Sequence, residues 1–333
     1  MTPTRSLAAV AAAATALALV LTGCAQSAPA QPEQSEAPAE AAVWPRTIEI
    51  PAGREHAAST LTIEAEPQAI AALDYESAEV LAELGLSDRV VLVPEAVLNP
   101  ALGTHIEELS AVPNTFPTAM EIEAETVISM APDLVVMSPR HGNEAPIAEV
   151  LGASGIAALQ LPAPWTSPAT LATNIELIGE ATGTEGPAAE LTASLEAGLV
   201  PQASGGPEKR VLVLTNQAGR PFVTAGSAFP LELLSLAGAQ NVAVELGIER
   251  TGPISAEQIV QADPDGIVLI DMNGTGDRMF SELLANPAVA GVPAVAEDRL
   301  LRVEGKQVQA LGLTGTIDGL GVLSEWVAGL PTG

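Results

Sequence analysis

Aromatic side chains are scarce in this chain: three Trp, one Tyr and four Phe in 333 residues. Each one near a candidate ligand site therefore stands out. There is one cysteine, Cys24, which excludes an intramolecular disulfide framework. Cations are few as well. Lys+Arg number 13 against 41 Asp+Glu, for a net charge of -28. Lys209 and Lys306 are the lysines. Nucleic-acid binding is excluded on this ground, because neutralising phosphates takes clustered basic residues. The same acidity keeps the chain soluble and repels anionic lipid headgroups. Three histidines, His56, His105 and His141, are far apart and none has a partner at metal-cage spacing. No directly bound metal ion is expected, and none held permanently as a cofactor.

Signatures of catalysis are thin too. No phosphate loop of the Walker type is present, and "AGSAF" around Ser227 lacks the second glycine of a nucleophile elbow. "NGTGD" (273–277) is Gly-rich, but it follows an apolar run without opening a clear helical pattern, and it reads as a turn. The chain is not expected to be an enzyme.

The first residues are of another kind. Arg5 precedes an uncharged, mostly apolar run from Leu7 to Leu21, followed by Thr22, Gly23 and Cys24. This reads as a secretory signal segment over 1–23; an uncleaved anchor is the alternative. Leu-Thr-Gly-Cys resembles the lipobox of bacterial lipoproteins. That resemblance implies cleavage before Cys24 and lipidation of its sulfur, which gives the lone cysteine a role. Residues 24–45 are rich in Ala, Pro, Glu and Gln without helical or alternating pattern. They bury too little apolar surface to offset ordering entropy and read as a tether. The expected location is extracytoplasmic, at the outer face of the cell membrane.

Beyond the tether, short apolar runs alternate with helical patterns. "AIAALD" (69–74), "RVVLV" (89–93), "DLVVM" (133–137) and "IAALQL" (156–161) are strand-like, with helical spacing over 76–86, 121–130, 145–154 and 168–182. A further helix is expected over 185–200, and a second series begins with "RVLVLT" (210–215) and "PFVTA" (221–225). Helical spacing at 230–239, 255–262, 280–287 and 316–330 then alternates with strands at 266–271 and 299–305. Continuous apolar strands between helices predict an α/β fold of parallel sheets flanked by helices. Two such series predict two Rossmann-like lobes, 46–184 and 206–333, with 185–205 between them.

The two series echo each other. "ETVISMAPDLVVM" (125–137) returns as "EQIVQADPDGIVLI" (257–270), with a glutamate ahead of Pro-Asp in both. "LAELGLSDRVV" (81–91) returns as "LLSLAGAQNVA" (233–243). In open α/β sheets ligands bind beyond the carboxyl ends of strands. That places Asp74 and Tyr75, Arg140 and His141, Pro164 and Trp165 at one wall of a cleft between the lobes. Arg220, Ser227, Phe229 and Asn273 fall at the other. Arginine's planar fork suits carboxylate and phosphate groups. Arg250 and Arg278 read instead as surface charges that balance nearby acids.

These segments together resemble class III substrate-binding proteins of ABC importers, over about residues 60 to 330. The residues that carry the resemblance are "SAEVLAELGLSDRVV", "AETVISMAPDLVVMS", "LELLSLAGAQNVA", "ISAEQIVQADPDGIVLI" and "VAEDRLLRVEG", in that order. The resemblance implies two lobes joined by a single long helix, modest hinge motion, and delivery of ligand to a membrane permease and, through it, an ATPase. It implies a monomer held at the membrane by its lipid. One glutamate per lobe is implied to dock on permease arginines, by position Glu125 and Glu257, with Glu121 and Glu123 as near rivals. The family's ligands are iron–siderophore complexes, heme and cobalamin. The loop "VPEAVLNPALG" lacks the tyrosine of many heme-binding members, although His141 offers an alternative iron ligand. Cobalamin-type pockets rely on aromatic walls, which this chain is poor in. A ferric siderophore is therefore the expected ligand. Heme, cobalamin, a metal ion, or a secreted enzyme or adhesion module on the same scaffold are the alternatives.

Overall fold

The computed structural model describes residues 43–53, 57–117, 122–140, 142, 144–202, 208–217 and 219–331. The signal segment, Cys24, His56 and His141 lie outside the described residues, as does Glu121. Residues 42–333 form one compact unit.

An antiparallel hairpin comes first, β1 (Arg46–Ile50) with β2 (Ser59–Ile63). The first sheet takes β3 (Ile70–Ala72), β4 (Val90–Pro94), β5 (Thr115–Phe116), β6 (Leu134–Met137) and β7 (Ala157–Gln160) in the order β5-β4-β3-β6-β7, all parallel. Its helices are α1 (Tyr75–Glu83), α2 (Ile106–Leu109), α3 (Ala124–Ser129), α4 (Glu144–Ala153) and α5 (Pro168–Thr182). Helix α6 (Glu185–Gly198) leads to the second sheet. There β8 (Lys209–Gln217), β12 (Gly266–Asp271) and β13 (Leu300–Glu304) run parallel, and β10 (Ala239–Asn241) pairs parallel with the start of β8. β9 (Arg220–Val223) and β11 (Gly252–Pro253) are antiparallel, so this sheet is mixed around a parallel centre. Helices α7 (Phe229–Leu236), α8 (Ala256–Ala262), α9 (Gly276–Leu284), α10 (Pro287–Ala290), α11 (Pro293–Ala296), α12 (Gly305–Val308) and α13 (Gly315–Gly329) complete it.

The sequence echo is a structural one. β4-β3-β6-β7 matches β10-β8-β12-β13 in order and direction. Each Pro-Asp has the same task. Asp133 accepts hydrogen bonds from the amides of Gln68 (2.7 Å) and Ala69 (3.0 Å), just ahead of β3. Asp265 accepts from the Arg210 amide at 2.8 Å, near the start of β8. Each aspartate thus ties its own strand to the central strand beside it. The residues before the prolines, Ala131 and Asp263, take φ of 50° and 39°. A residue before proline is pushed out of the right-handed helical region, and here the left-handed one ends each helix.

Helix α5 shows why these segments fold locally. Ser167 caps it reciprocally with Thr170, Pro168 sits in its first turn, and Gly183 ends it at φ 76°. Leu171, Ile175 and Ile178 are fully buried, each stabilising by about 1.5–3 kcal/mol before entropy is counted. Helix α6 packs at both ends through glycine. A Cβ at Gly179 of α5 would lie 2.5 Å from Ala188, and one at Gly198 would lie 2.5 Å from Ile317 of α13. One apolar core runs from the inner face of the first sheet through α5 and α6 to the second sheet. Two smaller cores fill the outer faces. A second junction is polar. Lys306 donates from its amide to the Ala101 carbonyl (3.0 Å) and from Nζ to the Pro100 carbonyl (2.9 Å). There a Cβ at Gly305 would lie 2.5 Å from Leu102 Cδ2, so glycine is what lets the two loops touch.

The expectation for "NGTGD" is corrected. Helix α9 opens inside it, at Gly276. The loop is still no phosphate cradle, because Asp271 Oδ1 already accepts from the amides of Asn273 (3.1 Å) and Gly274 (2.9 Å).

Candidate functional site

The site begins at the end of β3. Asp74 caps α1, accepting from the Ser77 amide (2.8 Å) and hydroxyl (2.9 Å), and also from the Ser138 amide beyond β6 (2.8 Å). This buried carboxylate fastens the start of α1 to the segment after β6. On that segment Arg140 reaches back across the sheet end. Its Nη2 lies 3.1 Å from Glu76 Oε1, and its guanidinium lies 4.7 Å from the centre of the Tyr75 ring. A cation over a ring face is favourable. The backbone beside this pair is fixed by Glu144, whose carboxylate takes the amides of Arg140 (3.0 Å) and Gly142 (2.8 Å).

A cavity of about 330 Å³ opens on this pair. One wall is Glu76, Ser138, Pro139 and Arg140, continued by Pro164, Trp165 and Thr166 beyond β7. The opposite wall is Ser227, Ala228 and Phe229 at the start of α7, with Gln309 after α12. Both sheets therefore contribute strand-end segments to one space. Glu76 is 4% exposed and Trp165 5% exposed. Glu76 Oε2 and Trp165 Nε1 have no hydrogen-bond partner among the described residues. Burial pushes the Glu76 carboxyl above its ordinary range, with Arg140 opposing and the Asp74 charge adding. Burial works against the Arg140 charge, but Glu76 and Asp74 outweigh it and hold the guanidinium above its usual value.

Four of the seven residues expected to touch ligand line this cavity: Arg140, Trp165, Ser227 and Phe229. Arg220 does not. It is exposed at the β8–β9 turn, 5.4 Å from the Phe222 ring. Asn273 does not line it either; its side chain accepts from Asn216 Nδ2 at 2.7 Å. Glu76 and Gln309 escaped sequence reasoning. Glu76 lies one position past Tyr75, already marked as a strand-end residue. Gln309 follows a helix, where the strand-end rule does not reach.

Among the described residues no group of three or more His, Cys, Asp or Glu is placed to hold a metal ion. His105 is held between two carboxylates, with Nδ1 2.8 Å from Glu79 Oε2 and Nε2 2.9 Å from Glu83 Oε2. Glu79 also takes the amides of Thr104 and His105, both at 3.1 Å. This cluster fixes the loop after β4 and lies outside the cavity lining.

Glu125 and Glu257 are each the second residue of their helix, α3 and α8, and both are exposed. The Glu257 carboxylate is held below its ordinary range by its own amide and by Ser255.

The pattern of a family described as periplasmic binding protein matches residues 70–305. A protein of Bacillus subtilis named "Uncharacterized ABC transporter substrate-binding lipoprotein YvrC" is 29% identical over 263 residues, covering 76% of this chain and 77% of that protein. A protein of Halobacterium salinarum named "Cobalamin-binding protein" is 28% identical over 287 residues, covering 82% and 73%. Among solved structures, the periplasmic heme-binding protein RhuT from Roseiflexus sp. RS-1 superposes with a TM-score of 0.65 at 22% identity, covering 78% of this chain and 99% of that one. Likeness at that identity speaks to the fold.

Proposed function

Since the chain belongs to the periplasmic binding protein family, we propose that it is the extracytoplasmic solute-binding component of an ABC importer, capturing a ferric siderophore in its cavity for delivery to a permease. The observation that carries this reading is one cavity lined from strand ends of both sheets. Ligand capture between lobes needs that geometry, and a catalytic site would need a poised acid–base or nucleophile pair as well. Among the described residues no histidine lines the cavity beside Ser227.

A preformed chelate suits the described lining, whereas heme would draw on His141, which lies outside the described residues. Heme iron takes an axial side chain from the protein. Among the described lining residues none is His, Tyr, Cys or Met. A siderophore brings its own iron ligands and needs only a shaped, partly polar wall. Cobalamin is the second reading, favoured by the Halobacterium relative's name and compatible with the absence of a metal ligand among the described lining residues.

In this reading Glu125 and Glu257 dock on the permease, one per lobe, each at the first turn of a helix in the repeated helix–Pro-Asp–strand unit. The lobes are 46–184 and 206–333 with 185–205 as the linker, Cys24 carries the lipid anchor, and the protein works as a monomer. Fluorescence titration through Trp165 tests the ligand assignment, with Trp165→Phe as the control for Trp44 and Trp326. Binding of a ferric siderophore or cobalamin below about 10 μM, roughly −7 kcal/mol, is expected. Failure of every chelate at that level overturns the reading.

A further inference from the structure

The polar junction between the loop after β4 and α12 bears on the cavity. There the Lys306 amide donates to the Ala101 carbonyl (3.0 Å) and Lys306 Nζ to the Pro100 carbonyl (2.9 Å). Gln309, a cavity-lining residue, follows α12 directly, and its amide donates to the Gly305 carbonyl at 2.7 Å. What holds the loop therefore helps to set where this wall stands.

At its start the loop is closed on itself. Asn99 takes the Ala101 amide through its side chain (2.9 Å) and the amides of Leu102 and Gly103 through its carbonyl (2.9 and 2.8 Å). At its end it hangs on His105. Nδ1 lies 2.8 Å from Glu79 Oε2 and Nε2 lies 2.9 Å from Glu83 Oε2. The Glu79 side chain is fully buried, whereas that of Glu83 keeps 32% of its exposure. Glu79 also accepts from the Thr104 and His105 amides. The last two residues of the loop and the ring thus converge on one buried carboxylate. Both ring nitrogens donate only in the charged imidazolium. A neutral ring turns a lone pair toward one carboxylate and leaves the buried Glu79 charge without its cation. An uncompensated buried charge is strongly unfavourable, and opening the loop to water relieves it.

The hydrogen bond to Glu79 raises the ring above its usual value, burial opposes it, and the charges of Glu79, Glu83 and Glu108 add. The other charged groups on the segments packed around it are Asp88, Arg89, Glu95, Glu107 and Lys306. Arg89 is paired with Glu66 (2.7 Å) and Lys306 with Glu304 (3.1 Å), so neither cation replaces the ring.

We propose that protonated His105 latches the 99–105 loop onto α12, and that loss of its proton loosens this junction and the Gln309 wall, so that solute is retained at low pH and released faster as pH rises. The solute half of this rests on the solute-binding reading above; the latch does not.

Amide hydrogen exchange on the full chain tests the latch, with protection referred to the intrinsic exchange rate at each pH. From about pH 5.5 to about pH 8.5 the Lys306 amide is expected to lose about 10-fold in protection, the scale of one hydrogen bond to a charged group. His105→Gln, whose neutral amide still donates to Glu79, is expected to show no such change. Glu83→Gln removes an exposed charge that holds the proton, and is expected to move the ring and the Lys306 amide together to a lower midpoint. Lys306 protection that stays flat while the ring titrates overturns the proposal. So does a response confined to the Thr104 and His105 amides, or a Lys306 midpoint that does not follow the ring in Glu83→Gln. Retention is read as the dissociation rate of cyanocobalamin and of ferrioxamine B. Release about fivefold to 10-fold faster at the higher pH is expected in the wild type and not in His105→Gln. The comparison cancels the Glu76 carboxyl, which both proteins share. Equal pH dependence in the two proteins overturns the retention half. If neither probe binds, the solute-binding reading fails and retention with it, while the exchange result still decides the latch.

Discussion

Replacing Arg140 by alanine isolates the electrostatics of the cavity. Glu76 is 4% exposed, and its one described charge partner is the guanidinium at 3.1 Å. Breaking a buried ion pair by removing one partner typically costs about 3–5 kcal/mol. The Arg140 side chain keeps 32% of its exposure, so solvent already screens part of the pair. That discounts the cost to about 2–3 kcal/mol. The sign of its pH dependence is fixed. Burial raises the Glu76 carboxyl above the ordinary 4.5, and loss of Arg140 raises it further. A raised carboxyl stabilises the fold at low pH, where it is protonated. That contribution is lost as pH rises from 4.5 through the folded value. Arg140→Ala should therefore melt nearest to wild type at pH 4.5 and fall progressively further short as pH rises. For a unit of this size the gap is about 4–6 °C in Tm. The assay is thermal melting by circular dichroism across that range, repeated in a Glu76→Gln background. There the pH-dependent part should vanish, leaving the smaller loss of the Tyr75 contact. A deficit that is constant with pH, or unchanged in the Glu76→Gln background, refutes the reasoning.

His105 should titrate above the usual 6.5, because its hydrogen bond to Glu79 outweighs burial, and Glu79, Glu83 and Glu108 add their charge. The stability it contributes is present below 6.5 and lost as pH rises through its folded value; NMR titration of its ring protons and melts of His105→Gln check both. Asp133→Ala, which frees two amides, should cost about 1–2 kcal/mol, and Asp265→Ala, which frees one, about 1 kcal/mol, both read by urea denaturation. Glu125→Ala combined with Glu257→Ala should abolish solute uptake in cells while leaving ligand affinity unchanged. Loss of affinity instead would move these residues into the cavity.

The alternation of strands and helices was legible because buried parallel strands are continuous apolar runs and their helices keep a 3.6-residue period. The β1–β2 hairpin was legible too, yet passed over: Ile48 and Ile50 are buried while Thr47 and Glu49 are exposed, a period of two. The antiparallel β9 was expected as a strand, but its direction depends on the tight turn at Gly219, φ 75°, which a run of letters does not reveal. Strand β10 has three residues, too few for any period. At the site, Arg140, Trp165, Ser227 and Phe229 were found by one geometric rule, the position just beyond a strand or its hairpin. Glu76 was not, because its significance lies in burial and in a partner 64 positions away. Carboxylates are common in this chain, and nothing local marks the buried one.

The central claim is that a metal chelate sits between the two strand-end walls. A crystal structure of the protein saturated with a ferric siderophore or cobalamin, with anomalous scattering at the iron or cobalt edge, tests it most directly. One metal peak is predicted in the cavity between Arg140, Trp165 and Phe229, coordinated by the chelator and by no protein side chain. A peak elsewhere on the molecule, an empty cavity at saturating chelate, or a protein side chain bound to the metal would contradict it.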